Sequence, residues 1–161
     1  MYETEQISRT GYNKLMAELN HLEKEELPEV RKTVATAREE GDLKENGAYI
    51  YGRQRQGHME GRIGELKARL NHADIVDCTQ VECASAVFGT VVSFLDLDTN
   101  KKVTYQLLGP HDADIDDGSI SILSPIGSAI VGCEVGEKLT IKVPRGDRNL
   151  EVIDIARPEV D

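Results

Sequence analysis

The sequence predicts an α+β protein in which a long helical hairpin precedes a compact sheet domain. In the first half, two long stretches carry apolar residues at helical spacing, and a short acidic segment separates them. From about Asp77 the pattern changes to short alternating or β-branched runs bounded by Gly, Pro, Asp and Asn. We therefore assign residues 1–76 to an antiparallel coiled-coil hairpin and residues 77–161 to the sheet domain.

The first helical stretch has apolar residues three and four apart, in two sets offset by one residue near Pro28. The sets are Tyr12, Leu15, Leu19 and Leu22, then Leu27, Val30, Val34 and Ala37. Because proline removes a backbone donor and disturbs the preceding turn, we predict one helix with a kink or adjustment at this point.

A second amphipathic helix follows the acidic segment. Its apolar seam consists of Met59, Ile63, Leu66, Leu70 and Ala73. Four glycines, each costing roughly 1 kcal/mol relative to alanine, indicate that pairing with the first helix stabilises this one. They are Gly52, Gly57, Gly61 and Gly64, and either close backbone approach or pliancy would explain them. A helix of about 30 residues reaches about 45 Å, so the acidic segment forms the tip of a projecting rod.

The sheet domain contains four predicted strands, at 87–95, 101–108, 138–143 and 150–155. Between them, residues 124–132 predict a short helix. Ser124 is expected to cap it, Pro125 to occupy its first position and Gly132 to end it.

Composition limits the classes of function. The net charge is −10, and residues 77–161 hold 15 acidic against 7 basic residues, so the chain is a poor candidate for gripping duplex nucleic acid by itself. No apolar run is long enough for a membrane span and the N-terminus lacks a secretory pattern, so we expect a cytoplasmic protein. Three cysteines without a CxxC pair, and scattered histidines, predict small buried thiols and no zinc site.

The acidic tip, residues 39–47, carries the candidate chemistry. Asp42 and Glu45 are three residues apart, a spacing that can bring both carboxylates to one side of a turn or helix to share a divalent cation. Mg²⁺ requires six oxygen ligands, so the pair is useful only if another molecule supplies more. The alternative is a solvated acidic loop near the positive end of the second helix dipole.

Three segments carry a resemblance to a known family. They are residues 37–46 (AREEGDLKEN), 56–63 (QGHMEGRI) and 124–126 (SPI). In this order and at this spacing the chain resembles the bacterial transcript cleavage factors GreA and GreB over nearly its whole length, with the tip closer to GreA. The resemblance implies that the sheet domain is FKBP-like.

The same resemblance implies a function in transcription elongation. The hairpin would enter the secondary channel of RNA polymerase and stimulate cleavage of the nascent RNA 3′ end in a backtracked complex. Asp42 and Glu45 would be the catalytic residues and would hold Mg²⁺ jointly with the polymerase, with no cofactor in the free protein. The chain would then be an accessory factor rather than an enzyme, a monomer with no membrane partner.

The resemblance also implies roles for other residues, and each role has an alternative. Arg53, Arg55 and Arg62 would contact RNA, or would be solvated residues on a helix face. Ser124 and Pro125 would dock on the polymerase, or would only cap and begin a helix. The chain departs from the family pattern at Ala48, Leu123 and Ser128.

Two other classes of function remain open at this point. One is a regulator that occupies the same channel without cleavage, although both Asp42 and Glu45 are present. The other is a prolyl isomerase or helical-hairpin chaperone. Such a catalytic pocket needs an aromatic lining, and the aromatic residues after Tyr51 are few: Phe88, Phe94 and Tyr105.

Overall fold

The computed structural model describes residues 4–40 and 47–159. The chain divides into two compact units, one that runs from Tyr12 to Ala73 and one that combines Thr4–Gly11 with the chain from Asp74 onward. Helices form the first unit and strands dominate the second, so the predicted α+β class is confirmed.

The first unit consists of α1 (Arg9–His21) from Tyr12 onward, α2 (Leu27–Glu39) and α3 (Gly47–Asn71). A π-helical turn at Leu22–Glu26 joins α1 to α2, and Pro28 lies in the first turn of α2. A π-helical turn accommodates an extra residue, and Pro28 cannot donate the hydrogen bond that a continuous helix would need there. The predicted adjustment near Pro28 is therefore confirmed as a π-helical turn.

The buried seam of the first unit agrees with the predicted periodicity. The buried residues are Leu15, Leu19, Leu27, Val30, Val34 and Ala37 before the tip, and Gly52, Met59, Ile63 and Leu66 after it. Helices α2 and α3 pack against each other along this seam. Three residues of the predicted seams, Tyr12, Leu22 and Leu70, are only half-buried. Ala73 was wrongly predicted as part of the second helix, because α3 ends at Asn71 and Ala73 begins a strand.

The second unit contains two sheets. Strands β1 (Glu5–Ser8) and β2 (Ala73–Val76) form a two-stranded sheet. The larger sheet has the order β5-β4-β3-β7-β6, in which only the β4–β5 pair is parallel. Its strands are β3 (Val91–Asp96), β4 (Lys101–Leu108), β5 (Ser119–Ser121), β6 (Lys138–Val143) and β7 (Gly146–Ala156). A short helix, α4 (Pro125–Ile130), follows β5.

The predicted strands agree with four of these elements. The bounds of β4 and β6 match, β3 starts later than predicted, and β7 starts earlier. The sequence did not predict β1, β2 or β5, each of which has only three or four residues. Runs this short carry too little periodicity to be recognised before their partners are known.

The N-terminal strand is tied to the second unit by one carboxylate. The backbone N–H of Ser8 donates to Asp112 Oδ2 at 2.9 Å, and that of Gly109 donates to Asp112 Oδ1 at 2.7 Å. A Cβ on residue 11 would lie 2.5 Å from the Cβ of Asp112. The close approach of Asp112 therefore requires a glycine at position 11. These contacts place residues 4–11 with the sheet domain.

The core of the second unit lies on the large sheet and is covered by α4. Its fully buried members include Val92, Leu107, Ile130, Leu150 and Val152. All three cysteines are free thiols; Cys78 and Cys133 are buried as predicted, whereas Cys83 is only partly buried. Burial raises the pKa of the Cys133 thiol. Among the described residues, no helix is long and apolar enough to cross a membrane.

Candidate functional site

The acidic tip joins the ends of two packed helices. Helix α2 ends at Glu39, where the backbone N–H of Glu40 donates to the carbonyl of Ala37 at 3.3 Å, and α3 begins at Gly47. Asp42 and Glu45 lie outside the described residues, so their pairing stays a prediction. The described flanks establish only that the segment carrying them connects α2 to α3.

Two ion pairs give the direction in which the helices of the hairpin run. Arg31 pairs with Glu60 at 3.4 Å, and Glu23 pairs with Lys67 at 2.9 Å. From Glu23 to Arg31 the residue number rises, whereas that of the partner falls from Lys67 to Glu60, as antiparallel helices require. The predicted antiparallel arrangement is therefore confirmed, and residues 41–46 connect the far ends of two antiparallel helices.

Close helix packing near the tip explains one of the four glycines in α3. Gly52 is buried, and a Cβ there would lie 2.8 Å from Val34 Cγ2. At Gly57, Gly61 and Gly64 an added Cβ would meet no atom within 4 Å apart from the adjacent residues and the helix's own backbone. Close approach therefore requires Gly52, and packing does not explain the other three.

The arginines of α3 differ in their surroundings. Arg53 and Arg55 are exposed, which fits both an RNA contact and a solvated helix face, so their RNA contact stays a prediction. Arg53 lies close enough to Glu60 to act on its charge. The hydrogen bond that Gln56 donates, together with Arg31 and Arg53, lowers the pKa of the Glu60 carboxyl. Arg55 has no hydrogen bond or ion pair from its side chain to any residue in 4–40 or 47–159.

Arg62 holds two helices together. Its guanidinium donates to both carboxylate oxygens of Glu18 on α1, at 2.8 and 3.0 Å, and to Glu65 at 3.1 Å. These hydrogen bonds raise the pKa of Arg62 and lower that of Glu18. The RNA contact of Arg62 stays a prediction, and an RNA phosphate would have to compete with these carboxylates for the guanidinium.

The segment before α4 is a hydrogen-bonded turn with exposed apolar residues beside it. Ser124 Oγ accepts the N–H of Gly127 at 3.1 Å and donates to the carbonyl of Ser121 at 2.6 Å. The predicted cap at Ser124 and the first position of Pro125 are thus confirmed. Pro125 is exposed and Leu123 is 71% exposed, so both are accessible to a partner. Docking by Ser124 and Pro125 stays a prediction.

Sequence reasoning did not single out Tyr51 as a site residue. This tyrosine lies in the second turn of α3, close to the tip, and is 68% exposed. The sequence did offer a signal for Tyr51, because it is an aromatic residue that falls outside the apolar periodicity of its helix. Its position on the helix is set by the neighbouring Gly52, which occupies the buried seam.

Comparisons with known proteins cover both units. Residues 5–75 match the family model described as transcription elongation factor, N-terminal, and residues 82–157 match that of transcription elongation factor, GreA/GreB, C-term. The chain is 48% identical to the transcription elongation factor GreA of Desulfotalea psychrophila, covering 92% of each chain. It is 46% identical to the GreA of Thioalkalivibrio sulfidiphilus, covering 92% of this chain and 95% of the relative.

A solved structure also matches most of the chain. The GreA factor homolog 1 (Gfh1) protein of Thermus thermophilus is 28% identical, with 96% of this chain and 99% of that chain covered and a TM-score of 0.45.

Proposed function

The chain belongs to the GreA/GreB family of transcription elongation factors, and we propose that it inserts its hairpin tip into the secondary channel of RNA polymerase. There it stimulates cleavage of the displaced 3′ end of the nascent RNA in a backtracked complex. Elongation then resumes from the new 3′ end. The chain acts as a monomeric accessory factor in the cytoplasm, and the polymerase performs the cleavage.

The observation that carries this proposal is the antiparallel pairing of the two helices that flank the segment with Asp42 and Glu45. Residues 41–46 connect α2 to α3 at the end of an antiparallel hairpin that the ion pairs and the close contact at Gly52 hold together. Carboxylates at the end of such a hairpin can enter a narrow channel ahead of the rest of the protein. A partly rigid rod also loses less conformational entropy on insertion than a flexible loop.

Asp42 and Glu45 fit a shared magnesium ion by the chemistry of their donors. Carboxylate oxygens are the ligands that Mg²⁺ prefers, and two of them leave most of its six positions for the polymerase and water. Across the described parts of the chain, no group of three or more His, Cys, Asp or Glu side chains is arranged to hold a metal. When bound, the ion would favour ionisation of the attacking water and offset negative charge on the phosphate.

The protein's own contribution is to position these groups. The tip carboxylates accept hydrogen bonds from the attacking water and orient it toward the scissile phosphate. The sheet domain docks at the channel rim through Ser124 and Pro125, with Leu123 beside them as an exposed apolar contact. Docking raises the local concentration of the tip near the RNA. The rim contacts therefore contribute to binding, and the tip carboxylates contribute to cleavage.

The experiment uses a stalled, backtracked polymerase complex with labelled RNA and Mg²⁺. The wild-type protein is expected to release short 3′ fragments, whereas Asp42→Asn and Glu45→Gln bind with near-normal affinity and release none. Glu40→Gln is the matched control, because it removes an exposed carboxylate that lies within the tip but outside the pair. Binding with slowed elongation and no cleavage would show a channel-blocking regulator instead.

A further inference from the structure

One close contact near the tip joins Gly52 on α3 to Val34 on α2. Both residues are buried, and a Cβ on residue 52 would lie 2.8 Å from Val34 Cγ2. Val34 lies five residues before Glu39, where α2 ends, and Gly52 lies five residues after Gly47, where α3 begins. At 1.5 Å per residue, each helix extends about 7.5 Å beyond the contact. The contact is therefore equally far from the two helix ends.

Val34 cannot turn aside for a larger residue at position 52. A valine in a helix has one strongly preferred rotamer, so its γ carbons are held in place. Carbon atoms that are not bonded pack about 3.5–4.0 Å apart, which exceeds by about 1 Å the 2.8 Å that the added Cβ would have. An alanine at position 52 therefore requires the two helices to move apart by about 1 Å.

This close approach lies at the end of α3 that leads to the tip. The buried residues of α3 are Gly52, Met59, Ile63 and Leu66, and Gly52 is the nearest of them to the tip. The other three carry large side chains, which hold helix axes further apart than a glycine does. At Gly57, by contrast, an added Cβ would meet no atom within 4 Å apart from the adjacent residues and the helix's own backbone. Of the glycines in α3, Gly52 is thus the one that packing requires.

The separation of the two helix ends matters for the chemistry of the tip. Seven residues, 40–46, connect Glu39 to Gly47, and Asp42 and Glu45 are among them. Mg²⁺ holds its oxygen ligands in a near-ideal octahedron at about 2.0–2.1 Å, which leaves little tolerance in the positions of two carboxylates. A displacement of about 1 Å can lower a rate about 100-fold even when the substituted residue is far from the reacting atoms. A short connection passes a change in helix separation on to the side chains that it carries.

We propose that the contact between Gly52 and Val34 sets the distance between the two helix ends and thereby positions Asp42 and Glu45 for the magnesium ion shared with the polymerase. This inference rests on the proposed function. Gly52 acts as a positioning residue, since neither Gly52 nor Val34 has a polar side chain with which to bind the metal or the RNA. The contact contributes to the rate of cleavage, whereas the sheet domain contributes to binding.

The test measures the rate of cleavage against the concentration of factor in a stalled, backtracked polymerase complex with saturating Mg²⁺. Gly52→Ala is expected to lower the maximal rate by about tenfold to 100-fold and to leave the half-saturating concentration nearly unchanged. The double variant Gly52→Ala with Val34→Ala should recover most of the maximal rate, because removing the γ carbons of Val34 lets the helices return to their original separation.

Two variants control for the substitution itself and for stability. Gly57→Ala makes the same chemical change on the same helix at a position where no atom of α2 is displaced, and it should keep the wild-type maximal rate. Ile63→Val removes one buried methyl group further along the seam. It lowers stability without changing the interface near the tip, so it should also keep that rate.

A second readout uses the free protein and does not depend on cleavage. Amide hydrogen exchange, followed by mass spectrometry, is expected to be faster at residues 35–39 and 47–51 in Gly52→Ala than in the wild type, because the two helix ends then open more readily. The double variant with Val34→Ala should restore slow exchange, and Gly57→Ala should show no increase.

The alternative results separate this inference from the proposed function. If the wild type stimulates cleavage but Gly52→Ala has the maximal rate of Gly57→Ala, the positioning role is wrong and the proposed function stands. The same holds if Ile63→Val loses as much rate, if only the half-saturating concentration rises, or if hydrogen exchange in Gly52→Ala is unchanged. If the wild type does not stimulate cleavage, the proposed function fails and the positioning role fails with it.

Discussion

Arg62 on α3 and Glu18 on α1 form a two-point ion pair, with Nε 2.8 Å from Oε1 and Nη2 3.0 Å from Oε2. Both side chains are only partly exposed. The planar guanidinium matches the carboxylate at two points, which adds geometric specificity as well as energy. This pair ties the base of α3 to the helix that precedes the π-helical turn.

Replacing Arg62 is expected to loosen the hairpin. Arg62→Ala should lower the free energy of unfolding by about 1 kcal/mol, and Arg62→Lys should recover only part of it because lysine cannot form the two-point contact. In a chain of this size the loss corresponds to a melting temperature lower by roughly 2–4 °C, measured by circular dichroism. Arg55→Ala is the control, and a melting temperature as low as that of Arg62→Ala would contradict the assignment.

Alanine substitutions at the glycines of α3 should change the free energy of unfolding in opposite directions. Gly57→Ala, Gly61→Ala and Gly64→Ala are each expected to stabilise the protein by up to about 1 kcal/mol, because alanine favours the helix and the new methyl group meets no atom within 4 Å. Gly52→Ala should destabilise it by about 1–3 kcal/mol, since the methyl group would overlap Val34 Cγ2.

Urea unfolding measures both effects. The double variant Gly52→Ala with Val34→Ala isolates the overlap, because removing the γ carbons of Val34 should make the cost of Gly52→Ala smaller. A Gly52→Ala protein as stable as Gly57→Ala would show that the helices separate near the tip without penalty.

The π-helical turn should respond to pH through His21. Its Nδ1 lies 2.5 Å from Glu25 Oε2 and its Nε2 lies 3.2 Å from Glu26 Oε1, and these contacts raise the pKa of the imidazole. Lys67 on the packed helix α3 pairs with Glu23. Since the folded pKa is the higher one, the stabilisation is complete below the unfolded value of about 6.5 and is lost as pH rises through the folded pKa.

Thermal unfolding of wild type and His21→Ala at a series of pH values between 5 and 8.5 checks this. The difference in melting temperature should be largest at the acidic end and shrink toward the basic end. His58→Ala, which removes an exposed histidine without a described partner, serves as the comparison. A constant difference across the series would assign His21 a role independent of its charge.

Substitutions at Pro125 and Gly127 should distinguish an effect on polymerase binding from an effect on stability. Pro125→Ala changes an exposed residue, so we expect an unchanged melting temperature and weaker binding to RNA polymerase, with normal cleavage at saturating factor. Gly127→Ala would place a Cβ 2.0 Å from the carbonyl oxygen of Ser121, a backbone atom, and should lower stability itself. Unchanged affinity for Pro125→Ala would make Pro125 a structural residue only.

Much of the fold was predictable because its signals are local. The seam of Leu27, Val30, Val34 and Ala37, the bounds of β4 and β6, and the cap at Ser124 were predicted correctly. Each depends on a few neighbouring residues with a strong period or a specific cap. The short strands β1, β2 and β5 were missed because partners that are distant in the sequence stabilise them.

The candidate site, like the fold, was only partly predictable from the sequence. Asp42 and Glu45 were identified from their spacing and from family resemblance, and they remain predictions since they lie outside the described residues. Arg53, Arg55 and Arg62 looked alike in sequence, as basic residues on one amphipathic helix. The structure separates them by their partners: Glu60 near Arg53, Glu18 at Arg62, and no described carboxylate at Arg55.

The sequence by itself determined the class of fold, the antiparallel hairpin with its acidic tip, and the family, because periodicity and motifs are properties of neighbouring residues. Only the tertiary structure decided that Gly52 alone among its neighbours permits close helix contact, that Arg62 is an ion-paired residue, and that residues 4–11 belong with the sheet domain. Each of these depends on an atom more than ten residues away, and no local pattern encodes that distance.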